Sequence, residues 1–286
     1  MKRIILLLVS ALLCLSLCSC DSILKKAKSA VTGEEISEMP KDYIATLENQ
    51  EFSYELYDSY VKLIKYIAPE GESTVVNIPS EIDGRPVTTI GSLCFFDTEN
   101  DVTEVNISFS VTTIEENAFY YSEGITEITI PDNVRKIGSR AFAWCNNLEA
   151  VYIGKGLTEI PEFCFNHCSA LKTVNIPPQI AKIGTRAFSY CDGLADFVVP
   201  STVTSVGERA FDSCINLEYL FFEGESTIIG ANVIDSCEKA IIIAKDSSTA
   251  KQYCEENGLR WSVSKDIEAV VPGVGESESN TSENEA

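Results

Sequence analysis

Apolar positions recur along this chain with a period of 23 residues. Phe119, Phe142, Phe165, Phe188, Phe211 and Ile234 hold one slot, and Ile114, Ile137, Ile160, Ile183, Val206 and Ile229 hold another. Cys145, Cys168, Cys191, Cys214 and Cys237 mark a third, with Ser122 in the place before them. A fixed period of this length predicts a solenoid, in which each unit buries its apolar face only against its neighbours. Such an architecture offers a surface on which something docks. The pattern therefore specifies the fold more sharply than the partner.

The unit from Leu171 to Gly193 is a clean copy, with Leu171, Val174, Ile176, Pro177, Ile180, Ile183, Gly184, Ala187, Phe188 and Cys191 in the recurring places. Alternating apolar residues over Leu171 to Ile176 predict a short strand with one face buried. Pro177 has no N–H and ends ladder bonding. Gly138, Gly184 and Gly207 share a slot where the backbone bends tightly or approaches its neighbour closely. The small residue before each anchor (Ala118, Ala141, Cys164, Ala187, Ala210) leaves room for the adjacent coil, and each Phe fills the narrow interior. The expected class is α/β to mainly β: a solenoid with one parallel strand per 23-residue repeat joined by short helical turns.

Six repeats align over 102–124, 125–147, 148–170, 171–193, 194–216 and 217–239, after an irregular first unit from Thr74 to Thr98. Open ends of such a stack need covers. Phe52 to Leu56 and Tyr60 to Ile67 read as a hairpin lid, and Ser248 to Asn257, stopped by Gly258, as a capping helix. The expected organisation is a signal segment (1–19), a tether (20–45), a hairpin cap (46–73), the solenoid (74–245), a capping helix and strand (246–263), and an acidic, disordered tail (264–286).

The motif I-G-x-x-A-F-x-x-C followed by L-x-x-V-x-I-P resembles the BspA-type leucine-rich repeat, also called the Treponema pallidum class. The resemblance covers residues 74 to 245, and Val87-Thr88-Thr89-Ile90-Gly91 after Ile82 to Pro86 resembles that family's opening unit. It implies a leucine-rich-repeat solenoid and a bacterial surface or secreted protein; some members bind host matrix or plasma proteins. Ser122 in the Cys slot, Pro161 in the Gly slot and Val233-Ile234 in place of Ala-Phe depart from the pattern without breaking the period.

Lys2 and Arg3 precede an apolar run from Ile4 to Leu17, the arrangement of an export signal. Leu17-Cys18-Ser19-Cys20 is similar to a bacterial lipobox, which implies lipidation at Cys20 and anchoring of the mature chain to a membrane. An ordinary cleaved signal or an uncleaved anchor stays open. Asp21 to Pro40 is polar and rich in Lys and Glu, as a tether would be.

Charge narrows the partners. The formal net charge is −21, and loss of Lys2 and Arg3 with the signal leaves 20 basic against 43 acidic residues, or −23. Nucleic acid is disfavoured, because phosphate binding needs a basic stripe. Eight cysteines lie beyond Cys20. Five share one slot, where stacked Cβ vectors run parallel, so buried free thiols are expected in place of a disulfide framework. Cys164 and Cys168 with His167, the one histidine, make a poor metal set, and neither a metal nor another cofactor is expected. No catalytic residues are assigned: there is no Gly-rich phosphate loop and no recurring carboxylate pair.

Two surfaces remain as candidates for a protein partner. Outward strand positions gather Tyr152, Asn175, Asp196, Val198, Tyr219 and Phe221 in the later repeats. A second stripe runs through Tyr121, Trp144, His167 and Tyr190 at one slot, with Arg140, Arg186 and Arg209 as a basic column nearby. The expected function is protein binding at the cell surface, with host adhesion implied by the resemblance. A passive envelope component and a carbohydrate-active enzyme are the alternatives.

Overall fold

A computed structural model describes residues 40, 42–67, 74–96 and 102–263. The signal segment, Cys20, nearly all of the tether and the tail lie outside the described residues. Within them the chain coils so that equivalent residues of successive repeats lie side by side. One row of parallel strands comprises Thr74–Asn77, Val102–Asn106, Glu127–Ile130, Ala150–Ile153 and Thr173–Asn175. A second ladder continues that row through Asp196–Val199, Tyr219–Phe222, Ile241–Ala244 and Trp261–Ser262. Registers follow the repeat: Ile128 pairs with Val151, Val151 with Val174, and Phe197 with Leu220.

A shorter row on another side of the coil joins Ile90, Ile114 and Ile137, and then separately Ile160, Ile183, Val206 and Ile229. The gap between Ile137 and Ile160 has a chemical cause. The Gly slot donates its N–H one coil back, Gly138 to Ile114, Gly184 to Ile160, Gly207 to Ile183 and Gly230 to Val206, each at 2.8 Å. Pro161 holds that slot in the third repeat and has no hydrogen to give to Ile137. The glycines themselves answer to close approach: a Cβ on Gly184 would stand 2.5 Å from the backbone nitrogen of Glu162.

The third side of each coil differs from the expected helical turns. It is a run of tight turns in which alternate N–H groups point in two directions. Ala118, Tyr120 and Ser122 donate to carbonyls three residues back, at Glu115, Asn117 and Phe119. The intervening Asn117, Phe119 and Tyr121 donate forward, to Ser139, Ala141 and Ala143 of the next coil. This geometry needs left-handed backbone at two slots per repeat. Asn117, Arg140, Phe163, Arg186, Arg209 and Asn232 occupy one, and Tyr121, Trp144, His167, Tyr190, Ser213 and Ser236 the other, all with φ between 51° and 64°. Such a conformation costs an ordinary L-residue about 1 kcal/mol. An inter-coil hydrogen bond from the same residue offsets it, as from Trp144 to Asn166 at 2.8 Å.

The interior is a column of phenyl rings. Phe95 and Phe119 stack at 4.7 Å, Phe119 and Phe142 at 4.9 Å, and Phe142, Phe165, Phe188 and Phe211 follow at 5.5 Å intervals. All are fully buried. At the first end the lid closes the column, with Phe52 and Tyr66 against Phe95. That lid has three strands, because Tyr43–Glu48 adds to the expected pair Phe52–Tyr57 and Val61–Tyr66. Structure thus begins before residue 46, where the sequence places the cap. At the other end the helix Thr249–Asn257 starts on Ser248, whose side chain accepts from the Lys251 N–H, and stops at left-handed Gly258. Ala250 and Cys254 bury its inner face, and the Tyr253 hydroxyl accepts from the Val233 N–H. None of the described helices is long and apolar enough to cross a membrane.

Candidate binding surfaces

The strand row presents alternate side chains outward because side-chain direction has a period of two. Tyr152 and Val198 are 40% and 46% exposed, and Asn175 and Asp196 are exposed too. Tyr219 and Phe221, expected in the open, are half-buried, with rings 6.0 Å apart and tilted to each other. Beyond them the same columns run into Ile241 and Ile243, which are buried.

The row is interrupted in the middle of this patch. Thr173–Asn175 ends one ladder and Asp196–Val199 begins the next. The Asn175 side chain turns back on the preceding coil, accepting from the Ile153 N–H at 2.5 Å and donating to the Ile153 carbonyl at 3.2 Å. Asn175 is therefore a structural ligand of its own sheet as well as a surface residue. At the interruption lies an open depression of about 540 Å³, lined by Val174, Ile176, Asp196, Phe197, Val198 and Glu223 among others. A second depression of about 490 Å³ lies over the early strands, where Glu104 stands directly opposite Glu127.

The turn side carries the other stripe, and its geometry limits what it can do. Tyr121 and Trp144 stack at 5.4 Å, Trp144 and His167 at 3.8 Å, and His167 and Tyr190 at 4.2 Å, all within 9° of parallel. The ring faces cover one another, leaving edges to solvent, so the stripe is not an open aromatic platform. Burial in this stack lowers the His167 pKa below 6.5, against a smaller opposing effect from the charge of Asp192. At the far end of the stack Tyr190 has no ring beyond it among the described residues and is 41% exposed.

The three arginines of the basic column do not share one kind of partner. Arg140 lies over the Phe163 ring at 4.5 Å and Arg186 over the same ring at 5.9 Å, and Arg209 reaches Asp235 at 4.0 Å. Phe163 sits between two guanidinium groups, a cation–π arrangement that residue type alone did not disclose. Asn117 and Asn232 at the ends of that column were the available signal, since Asn tolerates left-handed backbone better than most residues.

All eight described cysteines are free and buried. Each ladder thiol donates to the Phe carbonyl of the preceding coil at 3.1 Å: Cys145 to Phe119, Cys168 to Phe142, Cys191 to Phe165, Cys214 to Phe188 and Cys237 to Phe211. Burial pushes the Cys145 and Cys254 thiols up to about 12, and Cys164 and Cys168 well above the usual range. Burial thus favours the neutral thiol at these four positions, whereas the hydrogen bond with Cys214 holds the Cys237 thiol below the usual range. Among the described residues no three His, Cys, Asp or Glu side chains gather as a metal site would require.

Residues 112–242 match the family described as BspA type leucine rich repeat region, in six copies. No curated protein matches the chain. Among solved structures it is similar to a leucine-rich repeat protein from Eubacterium ventriosum, with 25% identity and a TM-score of 0.58 over 68% of this chain and 50% of that one. The chain thus spans half the length of that protein. A leucine rich cell surface protein from Faecalibacterium prausnitzii is 22% identical, with a TM-score of 0.43 over 73% of this chain and 77% of that one. The leucine rich repeat protein of T. pallidum is 22% identical, with a TM-score of 0.44 over 76% of this chain and 98% of its own. The repeating slots, the parallel ladders and the family match agree: residues 112–242 form a BspA-type leucine-rich repeat region, and the fold of the chain is a leucine-rich-repeat solenoid.

Proposed function

We propose that this protein is exported, lipid-anchored through Cys20 at a bacterial cell surface, and binds a protein partner on the outward strand face between Tyr152 and Phe221. The observation that carries the binding site is the exposure of Val198 on a depression wide enough to seat a side chain, with Tyr152 exposed on the ladder before the interruption. Exposed aromatic and aliphatic groups on one face are what a partner desolvates first. Asp196 at the rim supplies a charge to orient a cationic group, consistent with the net charge of −21. Repeats of this type serve as interaction surfaces and are not typically enzymatic. Anchoring rests on Leu17-Cys18-Ser19-Cys20 behind the apolar run, and adhesion to host matrix proteins rests on the family's habits.

The binding reading is tested by replacing Tyr152, Val198 and Phe221 together with Ser and measuring capture of immobilised host matrix proteins. Loss of capture with an unchanged thermal midpoint supports the strand face; full capture by the variant places the site elsewhere. For the anchor, Cys20→Ala should move the protein from the membrane fraction to the medium and abolish incorporation of a labelled fatty acid. A variant that still takes up label refutes the assignment of Cys20.

A further inference from the structure

We propose a second recognition point on the turn side: the face of Tyr190 away from His167, with Ser213 as its floor and Asp212 as its counter-charge, receives an arginine side chain of a partner protein. This site is distinct from the strand face and does not depend on it.

The ring stack ends because its slot changes residue type while its backbone does not. Tyr121, Trp144, His167 and Tyr190 are followed at the same slot by Ser213 and Ser236, whose φ values of 58° and 56° match those of the ring-bearing residues. The coil spacing is also kept, since the Tyr190 N–H donates to the Asp212 carbonyl at 2.8 Å, as His167 does to Ser189 at 2.9 Å. Ser213 therefore stands where the fifth ring of the stack would stand. It leaves a notch one coil wide, walled by the face of Tyr190.

What the notch prefers follows from its polar lining. Asp212 is only 8% exposed, and its carboxylate accepts one hydrogen bond, from the Ser213 hydroxyl at 3.1 Å. Among the described residues it makes no ion pair, because the neighbouring Arg209 turns to Asp235 of the next coil. A carboxylate has room for about four donors, and neither Asp212 oxygen is among the buried polar atoms left without a partner, so the oxygen that Ser213 does not bond stays open to a donor from outside. A neutral aromatic guest would cover the ring and offer nothing to the carboxylate. A guanidinium meets both needs, stacking flat on Tyr190 and presenting a fork of N–H groups to Asp212. The coil spacing suits it, because Arg140 already lies 4.5 Å over Phe163 from an adjacent coil of the same face. An ammonium group lacks the planar face, and the net charge of −21 favours cationic guests in general.

The test uses the purified full chain and three capped pentapeptides, Gly-Gly-X-Gly-Gly, with X as arginine, lysine or citrulline. Aromatic NMR signals of Tyr190, assigned by their loss in Tyr190→Ser, and ring-current shifts of the peptide side chain report contact. The expected result is a saturable shift with arginine, roughly fivefold weaker binding with lysine, and none with uncharged citrulline. Asp212→Asn keeps an acceptor for Ser213 and should weaken arginine binding about tenfold. Ser213→Tyr should complete the stack, keep the fold and abolish binding. Three results each overturn the assignment: citrulline binding as well as arginine, Ser213→Tyr binding unchanged, or no saturable shift up to about 50 mM peptide, where one cation–π contact plus one charged hydrogen bond would register.

Discussion

The Cys168 thiol donates to the carbonyl of Phe142, one coil back, at 3.1 Å. The same bond recurs at every ladder cysteine, and in the first full repeat Ser122 makes it with its hydroxyl, to the Phe95 carbonyl at 2.7 Å. The slot therefore selects a small side chain that can donate one hydrogen, and sulfur chemistry has no part in it. Cys191→Ser is expected to stay within about 1 kcal/mol of the parent, because the hydroxyl takes over the bond. Cys191→Ala should be less stable than Cys191→Ser by about 1 kcal/mol, and Cys191→Val worse again through overpacking, by about 1–3 kcal/mol. Urea midpoints order the three variants; Ala equal to Ser would show that the hydrogen bond contributes nothing.

Phe211 is fully buried, stacked on Phe188 at 5.5 Å and met edge-on by Phe197 at 4.6 Å. Its truncation to Ala should cost about 3–5 kcal/mol, through lost burial and the cavity left in a narrow interior. Coupling in a solenoid runs between adjacent coils. Hydrogen exchange in Phe211→Ala should accordingly rise first in the coils from Asp196 to Ala244, while the coils around Phe119 keep their protection. A uniform rise along the chain would contradict that nearest-neighbour picture.

Pro161 divides the short ladder between Ile137 and Ile160 by removing one donor. Pro161→Gly restores an N–H at a slot where four glycines already donate one coil back. The gain of one hydrogen bond, about 1 kcal/mol, is opposed by the greater freedom of glycine in the unfolded chain, about 0.4–1 kcal/mol. Stability should therefore change little, while a new slowly exchanging amide appears at position 161. A fast-exchanging amide there would mean that something other than the missing hydrogen holds the two ladders apart.

The sequence discloses what one-dimensional periodicity can carry. Phe119 to Phe211 as interior anchors, the free ladder thiols, the hairpin lid and the helix between Ser248 and Gly258 all follow from residue type at fixed spacing. The left-handed slots are only hinted at by Asn117, His167 and Asn232, because Arg140, Trp144 and Phe163 in the same slots have no intrinsic liking for positive φ; hydrogen bonds to the next coil impose it. The interrupted strand row is equally hidden, since Thr173 to Asn175 and Asp196 to Val198 are ordinary strand residues and only the turn of the Asn175 side chain back onto Ile153 marks the place. The Tyr121-to-Tyr190 column was visible as a column, but spacing alone could not tell an open strip from a closed stack. Ring planes decide that, and they belong to the folded state.

His167 stands between Trp144 at 3.8 Å and Tyr190 at 4.2 Å, and its burial there favours the neutral imidazole, with Asp192 opposing in part. A base whose pKa is lower folded than unfolded binds fewer protons in the native state, so falling pH favours unfolding. This contribution to stability is complete above the unfolded value of about 6.5, is lost as the pH drops through it, and levels off once the folded-state imidazole is protonated too. Carboxylates add their own acid sensitivity only at lower pH, near about 4. The thermal midpoint should therefore decline between about pH 7 and pH 5, and His167→Phe, which keeps a ring in the stack, should flatten that decline. Trp144 is the direct reporter: its fluorescence should titrate with a midpoint below 6.5 in the parent and stay constant in the variant. A midpoint above 6.5 would mean that the field of Asp192 outweighs desolvation in the stack, and the pH dependence of stability would then reverse its sign.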